Sequence, residues 1–193
     1  MERYASMHRK TGETEVSIEL CLDGGERSVS TGVGFFDHML TAFAVHGGFG
    51  LKVKTVGDWE VDCHHTVEDT GIVLGKAFAE ALPTKRGIKR FGHAFIPMDE
   101  ALAFGAADIS GRPFLVFDGE FPQERVGDFD TCMTEEFFRA FATNAGVTLH
   151  LKCEYGKNSH HMIEAMFKAA AHALREAVAQ EDGDILLSSK GVL

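Results

Sequence analysis

The sequence lacks a long apolar run, a basic stripe and paired cysteines. None of its 193 residues belongs to a run of membrane-spanning length, and Met1 to Lys10 has no apolar core, so we expect neither a membrane anchor nor a signal peptide. Basic residues gather only thinly around residues 85–90, and the formal net charge is −10. The negative net charge disfavours a nucleic-acid partner, and the small basic cluster is of a size to bind a single phosphate group. The four cysteines have no paired spacing, which indicates ordinary thiols and a cytoplasmic location.

The chain does contain an internal repeat. Residues 37–48 match residues 135–146 as helical apolar patterns that end in small residues. A predicted strand follows each copy, at 51–56 and at 147–153, and each strand leads into a double histidine that opens a second helix. The two double-histidine blocks are His64-His65-Thr66-Val67-Glu68 and His160-His161-Met162-Ile163-Glu164. Matching order, spacing and chemistry predict a duplicated unit.

Each repeat also begins with alternating segments that predict strands, at 15–22, 28–33, 94–109 and 114–117. The predicted fold class is therefore α+β, an internal duplication of a two-layer half-domain with the order strands, helix, strand, helix. At 193 residues we expect one domain, 1–193, made of repeats at roughly 1–88 and 89–193. The predicted junction lies near Arg86 to Gly92.

The double histidines have the spacing of metal ligands. A helix turns about 100° per residue, so His64 and Glu68, four positions apart, share one helix face and can hold one ion. His65 points about 100° away from that face. The same geometry separates His160 and Glu164 from His161. The pattern therefore predicts two metal ions, each held by a histidine–glutamate pair and a lone histidine from elsewhere, in the same chain or in another subunit.

Two further candidates occupy equivalent places at the first helix of each repeat, His38 and Glu136. They complete a set of five imidazoles and three carboxylates: His38, His64, His65, Glu68, Glu136, His160, His161 and Glu164. Mixed nitrogen and oxygen ligands favour a six-coordinate ion such as Mn²⁺ over tetrahedral zinc, although iron and cobalt accept the same donors. The predicted cofactor is Mn²⁺, two ions per active site.

Several motifs together resemble one enzyme family. The chain is similar, from about Arg9 to its C-terminus, to imidazoleglycerol-phosphate dehydratases. The segments that carry the resemblance are residues 35–40 (FFDHML), 64–69 (HHTVED), 110–114 (SGRPF), 158–161 (NSHH) and 188–193 (SSKGVL). The resemblance implies a ribosomal protein S5 domain 2-like fold. It also implies self-association into a shell of 24 subunits built from trimers, with metals and substrate at subunit contacts.

The resemblance also assigns roles to individual residues. It implies the same eight metal ligands, but many members have histidine where this chain has Glu136. Ala42 replaces a glutamine that is often present, which affects a substrate contact. Glu13 matches an active-site glutamate and is the first choice for proton transfer. Glu164 and Lys168, one helical turn apart, are the second choices. The implied substrate contacts, mainly to phosphate, are His46, Arg90, Arg112, Ser188, Ser189 and Lys190.

The implied reaction expels a hydroxyl from a carbon next to an imidazole ring and then removes a proton from the neighbouring carbon, in histidine biosynthesis. Our hypothesis is that the ring, as an imidazolate held by two metals at its two nitrogens, pushes the hydroxyl out. Asp99 and Glu100 are expected to be either supports of the metal site or plain turn residues. Two alternative functions stay open: a metal-storing or metal-sensing shell protein, and another metal-dependent lyase or hydrolase.

Overall fold

The computed structural model describes residues 3–191. Met1 and Glu2 of the N-terminal segment, and Val192 and Leu193 of the C-terminal motif, lie outside the described residues. The first half contains β1 (Tyr4–Lys10), β2 (Thr14–Cys21), β3 (Arg27–Ser30), α1 (Gly34–Gly47), β4 (Gly50–Gly57) and α2 (His64–Ala81). The second half contains β5 (Phe91–Met98), β6 (Ala101–Asp108), β7 (Phe114–Asp118), β8 (Arg125–Val126), β9 (Phe129–Asp130), α3 (Met133–Ala145), β10 (Thr148–Tyr155) and α4 (Ser159–Ala177).

The two four-stranded sheets have the same topology. The first has the order β1-β2-β4-β3 and the second the order β5-β6-β10-β7. In each sheet the first three strands in this order pair antiparallel, and the last pair, β3 with β4 or β7 with β10, is parallel. A helix connects the strands of each parallel pair, as a crossover requires. The predicted α+β fold with an internally duplicated half-domain is confirmed.

The four helices join the two halves. Helix α2 lies on β1 and β2 and packs against α3 of the other half, whereas α4 lies on β5 and β6 and packs against α1. One cluster of buried apolar side chains runs through both halves and includes nine fully buried or nearly buried phenylalanines. Each helix pair therefore brings the first helix of one repeat beside the double histidine of the other.

The structure adds details that the sequence pattern did not show. Strand β1 was not predicted, because Ala5 is its one buried residue and the rest of the strand shows no apolar alternation. The segment 94–109 forms two strands, β5 and β6, with a tight turn at Asp99 (φ 47°). The short hairpin β8–β9 interrupts the second repeat before α3.

Within residues 3–191, none of the helices has the length and apolar character needed to span a bilayer. The four cysteines are free thiols. The limits of the two repeats, 1–88 and 89–193, stay a prediction.

Candidate metal centre and active site

Helices α1 and α4 bring together three predicted metal ligands. His38 Nε2 lies 3.5 Å from Glu164 Oε2, and His160 Nε2 lies 3.3 Å from the same oxygen. One ligand atom from each of these side chains lies within 4.8 Å of the others, the one such group of three donors that residues 3–191 provide. Asn158 caps the start of α4, because its side chain accepts a hydrogen bond from the backbone N–H of His160. His160 therefore lies in the first turn of the helix. The ring of Phe35 packs edge-on against the His160 imidazole, at 4.8 Å between centroids.

Glu164 is the buried carboxylate of this group. Its side chain is 8% exposed, and Lys168 Nζ donates to it at 2.7 Å. Burial acts to raise the pKa of Glu164, but the hydrogen bond and charge of Lys168, with the charges of His38 and His160, outweigh it, so the pKa is lowered. The carboxylate therefore stays ionised, as a metal ligand must. Lys168 also contacts Met98 Sδ at 3.5 Å.

The α2 pair has the same local geometry. His64 Nε2 lies 3.3 Å from Glu68 Oε2, which matches the distance in the α4 pair. Glu136, on α3, lines one cavity of about 420 Å³ together with His64. The Glu136 carboxylate, however, forms an ion pair with Arg139 at 3.5 Å. The structure therefore forms the second histidine–glutamate pair but directs Glu136 towards an arginine.

The second histidine of each pair points in another direction, as the helical spacing predicts. The ring planes of His64 and His65 are 73° apart, and those of His160 and His161 are 76° apart. His65 Nδ1 lies 2.9 Å from Asp58 Oδ2, and its Nε2 lies 3.8 Å from Glu13. The hydrogen bond with Asp58 is the main cause of a raised pKa at His65, and the charges of Asp58 and Glu13 add to it against a smaller effect of burial.

His161 has matching surroundings in the second half. Its Nδ1 lies 2.7 Å from Glu100 Oε2, and its Nε2 lies 3.6 Å from Asp99. The other oxygen of Glu100 accepts hydrogen bonds from the backbone N–H groups of Lys157 and Asn158. The hydrogen bond with His161 is the largest cause, and those two amides add to it, in lowering the pKa of Glu100 to about 2. Glu100 is therefore a fixed, ionised link between the β5–β6 turn and the start of α4.

Glu13 lies in the turn between β1 and β2, as Asp99 lies in the turn between β5 and β6. Both carboxylates are exposed. Glu13, the first choice for proton transfer, is thus accessible to a ligand and lies next to His65.

His46 lies at the last turn of α1, where its Nδ1 is 3.3 Å from His172 Nε2. Burial, followed by the charges of Lys168 and His172, lowers the pKa of His46, and Glu164 opposes this only weakly. His46 therefore lies along the same α1–α4 contact that holds His38 and Glu164, in surroundings that favour its neutral form.

The predicted phosphate contacts form a second group. Arg90 makes two hydrogen bonds to Asp108, at 2.8 and 3.2 Å, and its third nitrogen donates to the carbonyl of Leu187. Arg112 lies 3.6 Å from the same Asp108 carboxylate and is 65% exposed. Arg90 therefore ties the segment that continues into Ser188, Ser189 and Lys190 to the end of β6. The backbone N–H of Lys190 donates to Ser188 Oγ at 3.3 Å.

The metal and phosphate groups lie far apart within one chain. The backbone N–H of Arg90 donates to the carbonyl of Ala177 at the end of α4. At about 1.5 Å per residue, Glu164 and Ala177 are separated by about 20 Å along the helix axis. Arg90 and its neighbours therefore lie too far from the group of His38, His160 and Glu164 for a small substrate to contact both in one chain.

Three residues at these sites were not predicted. Asp58 orients His65, Asp108 joins Arg90 to Arg112, and His172 contacts His46. His172 was within reach of sequence reasoning, because it follows Glu164 and Lys168 at four-residue intervals on one helix face. Asp58 and Asp108 are close in sequence to His65 and Arg112, but neither pair lies on one helix, so no helical spacing indicated the contact.

The repeated fold and the imidazole–carboxylate group define a class, a duplicated α+β protein with a candidate metal centre between paired helices. Residues 31–174 match the family model described as imidazoleglycerol-phosphate dehydratase. The dehydratase of that name from Acetivibrio thermocellus is 55% identical over 195 aligned positions, which cover 100% of both chains. The one from Gluconobacter oxydans is 54% identical and covers 99% of this chain and 98% of the relative.

Two solved structures agree with this similarity. The imidazoleglycerol-phosphate dehydratase of Staphylococcus aureus superposes with a TM-score of 0.84 at 42% identity, covering 92% of this chain and 99% of that one. The structure from Pyrococcus furiosus also gives a TM-score of 0.84, at 38% identity, and covers 97% and 100% of the two chains. The chain belongs to the imidazoleglycerol-phosphate dehydratase family. It is a dehydratase, or hydro-lyase, of histidine biosynthesis.

Proposed function

We propose that the chain dehydrates D-erythro-imidazole glycerol phosphate to imidazole acetol phosphate, with two Mn²⁺ ions per active site. The observation that carries this proposal is the group formed by His38, His160 and Glu164, whose ligand atoms lie within 4.8 Å of one another. Membership of the dehydratase family supports the reaction, and the donor chemistry supports the metal.

The residues present fit a divalent transition-metal ion. Two imidazole nitrogens and one ionised carboxylate meet between α1 and α4, and the α2 pair repeats the histidine–glutamate part of this set. Nitrogen and oxygen donors without thiolates suit Mn²⁺. We assign eight residues as ligands of the two ions: His38, His64, His65, Glu68, Glu136, His160, His161 and Glu164. Binding at Glu136 requires its carboxylate to leave Arg139.

The active site is proposed to form between subunits. The Nε2 atoms of His65 and His161 face Glu13 and Asp99, not the glutamates of the histidine–glutamate pairs, so each is proposed to reach an ion on a partner surface. The residues proposed to contact the phosphate lie about 20 Å from Glu164 along α4. A substrate of one ring, three carbons and one phosphate is roughly 10 Å long, from bonds of about 1.5 Å. These separations support assembly of several copies, for which we propose the 24-subunit shell built from trimers.

When bound, the two metal ions would supply Lewis acidity to the substrate imidazole, one held by His38, His160 and Glu164 and the other by His64 and Glu68. Glu13, exposed beside His65, moves a proton at the substrate carbons, for which a carboxylate next to the reacting atoms is suited. Glu164 holds its negative charge against burial because Lys168 donates to it at 2.7 Å. Lys168, whose Nζ lies beside Glu164, is proposed to assist departure of the hydroxyl.

The substrate phosphate is proposed to bind to the group at the end of β6. Arg112 presents an exposed guanidinium there, and Arg90 fixes the adjoining tail. Guanidinium groups and hydroxyls are strong donors to phosphate oxygens. We assign Arg90, Arg112, Ser188, Ser189 and Lys190 to the phosphate, and His46 to another part of the substrate.

Location and organisation follow from the same proposal. Four free thiols support a reducing, cytoplasmic compartment. The partner is a small phosphorylated imidazole together with copies of the chain itself, with neither nucleic acid nor a membrane. The shared apolar core supports one domain, 1–193, of two repeats.

An assay with imidazole glycerol phosphate tests the proposal. Protein stripped of metal by a chelator is mixed with substrate, with and without added Mn²⁺, and loss of one water is followed by mass spectrometry. We expect turnover only with metal. Metal binding without turnover would instead indicate a storing or sensing protein, and turnover of a related phosphorylated heterocycle alone would indicate another lyase or hydrolase.

A further inference from the structure

The outward-pointing histidines His65 and His161 share an unusual feature. In each ring Nδ1 is held by a carboxylate, at 2.9 Å from Asp58 and at 2.7 Å from Glu100. A carboxylate accepts hydrogen bonds, so the bonded Nδ1 carries the hydrogen in the neutral ring. The unprotonated nitrogen is then Nε2, which is the atom that can bind a metal.

The two carboxylates come from places that are not equivalent in the repeat. Asp58 follows β4 directly, whereas Glu100 lies in the turn between β5 and β6. In the second repeat, the residue that directly follows β10 is Gly156, which has no side chain to offer. Nδ1 of the second histidine therefore contacts a carboxylate in both repeats, but the carboxylate comes from a different position in each. Duplication of the chain alone does not account for this pair of contacts.

The other two histidines of the motif are oriented differently. His64 and His160 each have Nε2 within 3.3 Å of the glutamate four positions later, on their own helix. Their hydrogen bonds to Asp62 and Asn158 involve the backbone N–H, not the ring. The Nδ1 anchors thus belong to the two histidines that must reach across to an ion held elsewhere.

We propose that Asp58 and Glu100 are positioning residues that fix His65 and His161 as Nδ1–H tautomers and aim Nε2 at the metal ions. This inference rests on the proposed function, because it concerns ligands of those ions. Such carboxylate–imidazole pairs raise the basicity of the ligand and set its orientation, and their loss costs about 10- to 100-fold in metal affinity.

Asp58→Ala gives the cleanest test, because within residues 3–191 the Asp58 side chain has His65 as its hydrogen-bond partner. We expect Mn²⁺ titration of the metal-free, full-length protein to show one of two sites weakened about 10- to 100-fold. Asp58→Asn keeps an accepting oxygen and should lose less. Glu100→Gln should weaken the other site. Glu60→Ala removes a charge from the same loop as Asp58 and should bind both ions like the wild type.

A second readout separates positioning from general damage. Solid-state NMR of ¹⁵N-histidine-labelled, metal-free protein should show His65 as the Nδ1–H tautomer in the wild type and mixed tautomers in Asp58→Ala, with His65→Asn used to assign the signal. Wild-type affinity together with an unchanged tautomer in Asp58→Ala would overturn the inference. If the wild type itself bound no Mn²⁺, the proposed function would fail instead.

Discussion

Glu164 and Glu68, the carboxylates of the two histidine–glutamate pairs, have different environments. Its side chain is 8% exposed, whereas that of Glu68 is 43% exposed. Lys168 offsets the cost of burying this charge by donating a hydrogen bond at 2.7 Å. The site between α1 and α4 is therefore preformed, and the α2 site is open.

Replacement of Glu13 tests proton transfer. Glu13→Gln keeps the size of the side chain but removes its titratable group, so we expect turnover to fall about 100-fold or more. Metal content, measured by elemental analysis, should not change. Glu15→Gln, an exposed carboxylate in the same hairpin, should retain activity. Near-normal turnover of Glu13→Gln would remove this residue from the reaction.

Replacement of Arg112 tests the phosphate group. Loss of a charge-assisted hydrogen bond costs about 1.5–3 kcal/mol, so Arg112→Ala should raise KM for the phosphorylated substrate about 10- to 100-fold. Arg125 is equally exposed and is paired with Asp130 in the β8–β9 hairpin. Arg125→Ala is thus the matched control. An unchanged KM in Arg112→Ala would place the phosphate elsewhere.

Helical spacing was enough to predict which ligands share a face, because His64 with Glu68 and His160 with Glu164 are local pairs. The Glu136–Arg139 ion pair is also local, three positions apart on α3, but helical spacing alone does not decide whether the carboxylate turns to this arginine or to a metal ion. Partners from distant strands, such as Asp108, depend on register. The sequence alone does not show how the strands are aligned in the sheet.

At the scale of elements, the contact between α2 and α3 depends on small residues. A Cβ atom on Gly75 would lie 2.5 Å from the carbonyl oxygen of Phe141, and one on Gly71 would lie 2.8 Å from that of Phe137. The two helices thus approach backbone to backbone. This close contact places the start of α3, with Glu136, next to the start of α2, with His64.

Gly75→Ala should therefore destabilise the protein. Overpacking costs about 1–3 kcal/mol, which exceeds the gain of up to about 1 kcal/mol from the better helix propensity of alanine. Chemical denaturation followed by circular dichroism measures the change. Gly34→Ala, where an added Cβ meets no atom within 4 Å, should not destabilise α1. A more stable Gly75→Ala variant would contradict the packing described.

The elements themselves were largely predictable, with the helices starting near the residues that the periodicity indicates. The predicted strand at 15–22 corresponds to Thr14–Cys21, and the one at 147–153 corresponds to Thr148–Tyr155. Strand β1 escaped prediction because Tyr4–Lys10 lies at the edge of its sheet and buries one residue. An edge strand needs no apolar face of its own, so its sequence resembles a loop.

At the scale of the whole molecule, the separation of the metal and phosphate groups predicts shared active sites. His160→Ala removes a proposed metal ligand and should be nearly inactive alone. Arg112→Ala removes a proposed phosphate contact and should have little activity at substrate concentrations well below its raised KM. After mixed refolding in equal amounts, about a quarter of the sites would combine intact contributions from two subunits. Activity should therefore reappear in the mixture.

The matched control mixes His160→Ala with Glu164→Ala, because both variants damage the same helix pair. This mixture should stay inactive. If the first mixture also stayed inactive although both variants assembled, the metal and phosphate groups would not serve one shared site.

The central claim is that two helix pairs hold two metal ions. Crystals grown with Mn²⁺ and measured at the manganese absorption edge would locate the ions directly. We predict two anomalous peaks per subunit, one beside His38, His160 and Glu164 and one beside His64 and Glu68. The absence of metal at these residues, or a single ion with His65 and His161 packed against protein, would contradict the account.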